Sequence, residues 1–294
     1  MNIAEEFLSY LRFEKNRSQQ TVQSYAEDLK LFEAYFKDLD NLLSWETIDS
    51  AIIRDWMESM MDKGNSASSI NRRLSAVRSL FRYALSRKLV AVDPARALNG
   101  PKKSKPLPQF LRETEMDRLL DDCSWRNIYK DVRARTIIIT FYATGMRLSE
   151  LIGLDDSAVD FASRQIRVLG KRNKHRLIPF GDELSEALKA YIAKRDGSVA
   201  RKTTALFVTD KGERMNANQV RYEVKKHLSM ACTLKKRTPH VLRHTFATAM
   251  LNHDAGIESV KNLLGHESLS TTEIYTHTTF EQLKRIYKNA HPRA

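Results

Sequence analysis

The sequence predicts a mainly α-helical protein in two parts: an all-helical N-terminal domain, then a mostly α second domain with a small antiparallel β-sheet. Three observations carry this. In the first hundred residues apolar side chains recur at three- and four-residue steps, the period of a helix with one buried face. The stretch "NGPKKSKPLPQF", 99–110, breaks that pattern with prolines, a glycine and lysines, and reads as a linker. Beyond it, short β-branched runs flank a basic turn, with helical patterns on both sides. The expected division is 1–98 for the helical domain, 99–108 for the linker and 109–294 for the second domain.

Bulk composition narrows the function classes. Of 294 residues, 42% are hydrophobic and 29% charged, which suits a folded globular chain. The formal net charge is +13. An excess of this size points to a polyanionic partner, most simply nucleic acid; the plainer alternative is charge that serves solubility alone. Cys123 and Cys232 are the only cysteines. They offer neither a disulfide framework nor a cysteine-based zinc module, and they suit a reducing cytoplasm. The start, "MNIAEEFLSYL", lacks the basic and apolar segments of a secretory signal. The longest apolar run, "TIIITFYAT", is far shorter than the roughly 20 residues of a membrane span. A cytoplasmic, nucleoid-associated protein without a membrane partner is expected.

In the first domain, "TVQSYAEDLKLFEAYF" places Val22, Tyr25, Leu29, Phe32 and Phe36 on one helical face. "SSINRRLSAVRSLFRYALSRK" does the same with Ile70, Leu74, Val77, Phe81 and Leu85. The opposite face of that helix carries Arg72, Arg78 and Arg82 with serines and no acid. It is either a face laid against DNA or an ordinary solvated one, and the arginines favour DNA. The linker, at roughly 3.3 Å per residue, could cross the side of a duplex.

In the second domain, "VRARTIIITFYAT" and "LSELIGL" read as helices. "RQIRVLG" and "RLIPFG" read as strands around the turn "GKRNKH", and "TALFVTD" as a third strand. Helices return with "NANQVRYEVKKHLSMAC", "TPHVLRHTFATAMLNH" and "GIESVKNLL".

Several polar residues do not fit a core. In "TPHVLRHT", Thr238 suits an N-cap and Pro239 the first helical position. His240 and Arg243 then lie three apart, with His240 in a first turn whose free N–H groups favour an anion. Arg147 follows a glycine turn in "ATGMRLSEL", with Glu150 three residues on, able to orient its guanidinium. Taken alone, such a pair is usually a surface ion pair worth well under ~1 kcal/mol. Lys171 and Lys174 sit in the basic turn, as phosphate contacts or as a proton donor. In "LLGHESLSTTEIYTH", Gly265 suits a left-handed helix end, His266 follows it, and Ser270 with Glu273 matches a capping box. Tyr275 falls in the second turn of that new helix, as a core aromatic or as a nucleophile. A metal site on His266 and His277 has no further ligand to complete it.

The order of these residues is arginine, turn lysine, H-x-x-R, histidine, tyrosine. In that order they resemble the tyrosine recombinase (phage integrase) family, and within it the Xer-type site-specific recombinases. The resemblance covers nearly the whole chain. "TVQSYAEDLKLFEAYF" and "INRRLSAVRSLFRYAL" look like the family's core-binding domain; "ATGMRLSEL", "GKRNKHRLIPFG", "TPHVLRHTFATAML" and "LLGHESLSTTEIYTH" look like the signatures of its catalytic domain. The turn departs locally, reading "GKRNKHR" where the family usually has a second glycine and a glutamate.

The resemblance implies the DNA breaking-rejoining fold and a catalytic set of Arg147, Lys171, His240, Arg243, His266 and Tyr275, with Glu150 behind it. Tyr275 would attack a phosphodiester and form a 3′-phosphotyrosyl intermediate, without metal, ATP or other cofactor. Arg72, Arg78, Arg82 and Lys174 are expected to contact DNA. The implied partners are a double-stranded recombination site and a homo- or hetero-tetramer of protomers on two duplexes, with chromosome dimer resolution as the role. A mobile-element integrase and a type IB topoisomerase-like nicking enzyme are the alternatives; a DNA-binding protein with a decayed site fits a complete set of six less well. Finally, Phe280, Leu283, Ile286 and Tyr287 recur at helical spacing near the C-terminus, and a short helix of this kind needs a surface for its apolar stripe: this tail, about 279–294, either folds back on its own domain or, as the family implies, docks on a neighbouring protomer.

Overall fold

A computed structural model describes residues 2–103, 107–170, 175–265 and 277–294, without the side chains of 277–279. The chain divides into two compact units, Met1–Pro106 and Leu107–Ala294.

The first unit is all-helical. It comprises α1 (Ile3–Ser9), which continues as a π-helical turn over Tyr10–Glu14, then α2 (Gln19–Leu39), α3 (Ser50–Asp62) and α4 (Ala67–Ser86). Each of the four α-helices starts at a side chain that accepts a backbone N–H: Asn2, Ser18, Asp49 and Ser66. Their apolar stripes meet in a core rich in aromatics, including Phe7, Phe32, Phe36, Trp45, Trp56 and Phe81. Phe32 lies 4.6 Å from Trp56 between ring centres, and Phe36 meets Trp45 edge-on at 5.2 Å. Ile70, Leu74, Val77 and Phe81 are buried as their spacing predicts, whereas Leu85, near the helix end, is exposed.

The arginine face of α4 departs from the expectation of a face without acids. Arg72 pairs with Asp28 of α2, which is 1% exposed. Arg78 donates to the carbonyl of Leu98, and Arg82 is exposed. The acid is supplied by another helix, so spacing within α4 could not reveal it.

The second unit is built around α6 (Tyr129–Thr144), in which Ile137, Ile138, Ile139, Phe141 and Tyr142 are all essentially inaccessible. From Thr136 onward this helix is buried on every side, which places it in the middle of the core. It is preceded by α5 (Glu113–Asp117), which runs on as a π-helical turn over Arg118–Asp122. Around it pack α8 (Asp182–Ser198), α9 (Ala217–Ala231) and α10 (Pro239–Asn252). Between α7 (Leu148–Ile152) and α8 runs an antiparallel sheet of β1 (Val159–Asp160), β2 (Gln165–Leu169) and β3 (His175–Pro179), in that order. Ile166 faces Ile178 and Val168 faces Arg176 across the β2–β3 ladder.

The third strand is therefore Val159–Asp160, and "TALFVTD" is not a strand. Ala205–Val208 are fully buried, but their backbone makes only isolated bridges, to Asp155 and Arg214. Side chains take the place of a ladder: Tyr191 and Arg195 donate to the Leu206 carbonyl, and Tyr129 and Arg133 to that of Val208.

A satellite core joins α10 and α11 (Ile257–Leu264) to α12 (His277–Ala290) through Phe246, Met250, Val260, Leu264, Leu283, Tyr287 and Ala290. In the single chain the tail thus takes the first of the two placements open to it and packs on its own domain. After α12, His291 is buried, and Arg293 pairs with Asp117, Asp121 and Glu183. The stripe finds an apolar surface within reach of its own chain, and the three carboxylates fix the end. Among the described residues, no helix is long and apolar enough to cross a membrane.

Candidate active site

Two left-handed glycines shape the site. Gly145 ends α6 at φ +58°; a Cβ there would run into the Phe246 ring and stand 2.8 Å from Leu264 Cδ2. The turn delivers Arg147 to the N-cap position of α7. Its backbone N–H donates to Glu150 Oε2 at 2.7 Å, and its Nη1 to Glu150 Oε1 at 2.8 Å. Gly265 ends α11 at φ +66°, as its place in the sequence predicts.

The last carbonyls of α11, which have no partner within the helix, are held by three different arginines. Arg176 Nε donates to Leu263 O at 3.3 Å, Arg243 Nη2 to Leu264 O at 2.7 Å, and Arg147 Nη2 to Gly265 O at 2.8 Å. Arg243 Nη1 also donates to Gly145 O at 2.6 Å, so one guanidinium ties both glycine turns together. Behind them Arg176 forks onto Glu150, with Nη1 to Oε1 at 2.6 Å and Nη2 to Oε2 at 2.8 Å.

Two guanidinium groups thus bond one carboxylate, and the charge of Arg243 is coupled to it. Burial works to raise the pKa of Glu150, but the hydrogen bonds and charge of Arg176, then those of Arg147, outweigh it and keep the carboxyl ionised below its usual range. Burial, then the charge of Arg147, with Arg176 adding to it against Glu150, pushes Arg243 down to about 10. It remains a cation at neutral pH. His240 sits in the first turn of α10, after Thr238, which takes the N-cap position without a side-chain capping bond. Desolvation of its ring, followed by the charges of His244, Arg243, Arg221 and Arg147, lowers its pKa below the ordinary 6.5. Its main form at neutral pH is uncharged and can accept a proton.

The described residues therefore bring together Arg147, Glu150 and Arg243, with His240 one turn from Arg243. Lys171, Lys174, His266 and Tyr275, with Ser270 and Glu273, lie outside the described residues. Chain connectivity puts Lys171 and Lys174 between β2 and β3, and His266 immediately after Gly265. Sequence reasoning missed Arg176. It shares a strand face with buried Ile178, and a cation at an inward strand position is a sign that a carboxylate waits inside. Among the described residues, no three His, Cys, Asp or Glu side chains come together in a way that could hold a metal ion. Chemically, the array can hold an anion between two partly desolvated arginines, with a neutral histidine beside it.

Residues 109–282 match the phage integrase family, and residues 4–88 match its N-terminal SAM-like domain. The chain is 40% identical over 300 residues to tyrosine recombinase XerC of Pelotomaculum thermopropionicum, covering 99% of this chain and 98% of that one. It is 36% identical to tyrosine recombinase XerD of Oceanobacillus iheyensis over 294 residues, with the same coverage. In fold it resembles the XerH site-specific recombinase, solved bound to a palindromic difH substrate in a post-cleavage complex. That likeness has a TM-score of 0.72 at 23% identity and covers 96% of this chain and 83% of that one.

Proposed function

The chain belongs to the phage integrase family of tyrosine recombinases, and from that premise we propose that it cuts and rejoins DNA at a specific site through Tyr275. The single observation that carries the reading is the convergence of Arg147 and Arg243 on the end of α11, immediately before His266.

In this reading the two arginines hold the non-bridging oxygens of a phosphodiester and stabilise the charge that builds up at phosphorus. The Tyr275 hydroxyl attacks, forming one O–P bond as the bond to the 5′ oxygen breaks. Neutral His240 takes the tyrosine proton, Lys171 gives one to the leaving oxygen, and His266 bonds a phosphate oxygen. One phosphoester replaces another, so no ATP is consumed, and the arginines supply the charge for which other nucleases use a metal. Attack by the 5′ hydroxyl of a second duplex on the phosphotyrosine completes exchange. Lys174 and the α4 arginines hold the backbone of the site, and four protomers bring two duplexes together.

Similarity to XerC and XerD over nearly their whole lengths supports chromosome dimer resolution over mobile-element integration. DNA trapped covalently on the chain in cells should, once sequenced, give one chromosomal site. Sites scattered among mobile elements would favour the integrase reading. A nicked duplex carrying the recovered site should then trap the wild-type chain in excess EDTA. Tyr275→Phe should bind it without an adduct. Relaxation of supercoils without strand exchange between two sites would point to a topoisomerase instead.

A further inference from the structure

Glu150 is 4% exposed, and both its oxygens are engaged by the fork of Arg176 before Arg147 is counted. Arg147 bonds the same Oε1 from the open side, with a side chain 26% exposed against 8% for Arg176. The order from back to front is therefore Arg176, Glu150, Arg147. A bidentate pair fixes the plane of a carboxylate, and whatever else bonds that carboxylate inherits the plane. Arg176 is also the residue of β3 opposite Val168 of β2, so it belongs to the strand that follows Lys171 in the chain. Through Nε it reaches the Leu263 carbonyl, in the helix end that precedes His266. A Cβ on Gly265 would stand 3.1–3.2 Å from three atoms of the Arg176 side chain, so the two residues are fitted to one another.

We propose that Arg176 is a positioning residue of the cleavage step: through its paired hydrogen bonds to Glu150 it sets the Arg147 guanidinium, and its bond to Leu263 ties β3 to the end of α11. This rests on the recombinase reading above. Arg176 touches no reacting atom. It keeps the lysine strand, the first arginine and the helix end in one register, and an error of about 1 Å in such a register costs on the order of 100-fold in rate.

The test uses the full chain and a nicked duplex carrying the recovered site. Arg176→Lys keeps the charge that neutralises Glu150 but loses the planar fork. It should melt near the wild type and bind half-sites within about threefold, while adduct formation at saturating DNA slows roughly 10–100-fold. A structural role alone would move melting, binding and cleavage together. The pair Glu150→Gln/Arg176→Gln removes both buried charges and should be slowed by clearly less than the product of the two single effects, because Arg176 sets Arg147 through Glu150. Wild-type cleavage by Arg176→Lys, parallel loss of binding and cleavage, or additive effects in the double variant would each overturn the role of Arg176 and leave the recombinase reading standing. A wild-type chain that traps no adduct would overturn both.

Discussion

Arg147 and Gly265 lie 118 residues apart in the chain, yet Arg147 Nη2 donates to the Gly265 carbonyl at 2.8 Å. The guanidinium to which the proposed mechanism assigns phosphate binding is thereby anchored to Gly265, the residue that precedes His266 in the chain. Cations at a helix C-terminus satisfy carbonyls that the helix leaves free, so the fold and the chemistry draw on the same side chains.

Gly265→Ala should disturb both. A side chain at positive φ costs about 1–2 kcal/mol, and the new methyl would press on Arg176 at 3.1 Å. A fall in melting temperature of about 2–8 °C is expected, with adduct formation slowed more than half-site binding is weakened. Unchanged melting and cleavage would contradict the role given to this turn.

Cleavage should depend on a neutral histidine. His240 titrates below 6.5 in the folded chain, so the rate should rise with pH through that lowered value and level off by neutrality. Single-turnover adduct rates across about pH 5–8 will show the acid arm, and His240→Gln should remove it. A midpoint above 6.5, or an arm that survives the substitution, argues for another base.

Because the tail packs on its own domain, deleting residues 280–294 should destabilise the free protein. The loss of buried Leu283 and Tyr287 alone forfeits about 1.5–3 kcal/mol each. His291 adds a pH signature. Burial, its foremost cause, pushes this histidine down to about 4, below its value of 6.5 in the unfolded chain. The unfolded chain then binds more protons, so this contribution is complete above about 6.5 and is lost as pH falls toward 4. Urea melts at several pH values should show that slope, and His291→Gln should flatten it. A truncated chain that melts like the full one would mean that the tail is not held in cis.

The α4 arginines should separate by partner. Arg82 is exposed, and Arg82→Ala should leave melting unchanged while reducing the log–log salt slope of DNA binding by about 0.9. Arg72→Ala should also cost about 1–3 kcal/mol of stability, since it leaves buried Asp28 with Arg73 at 3.9 Å as its remaining ion pair. Equal melting of the two variants would show that the Asp28 pair contributes nothing.

The sequence by itself determined the mainly helical class, the helices with strong apolar periodicity, the β2–β3 pair, both glycine turns and the family. Each is written in a short window, where periodicity, a capping residue or a spaced motif acts on neighbours in the chain. Only the tertiary structure decided that "TALFVTD" is no strand, that Arg72 pairs with Asp28, that the tail folds back and that Arg176 stands behind Glu150. In every one of these cases the partner is remote in sequence. Side-chain donors can satisfy a backbone that looks like a strand, and a buried charge takes its partner from whichever element the fold brings close, which no local pattern of residues encodes.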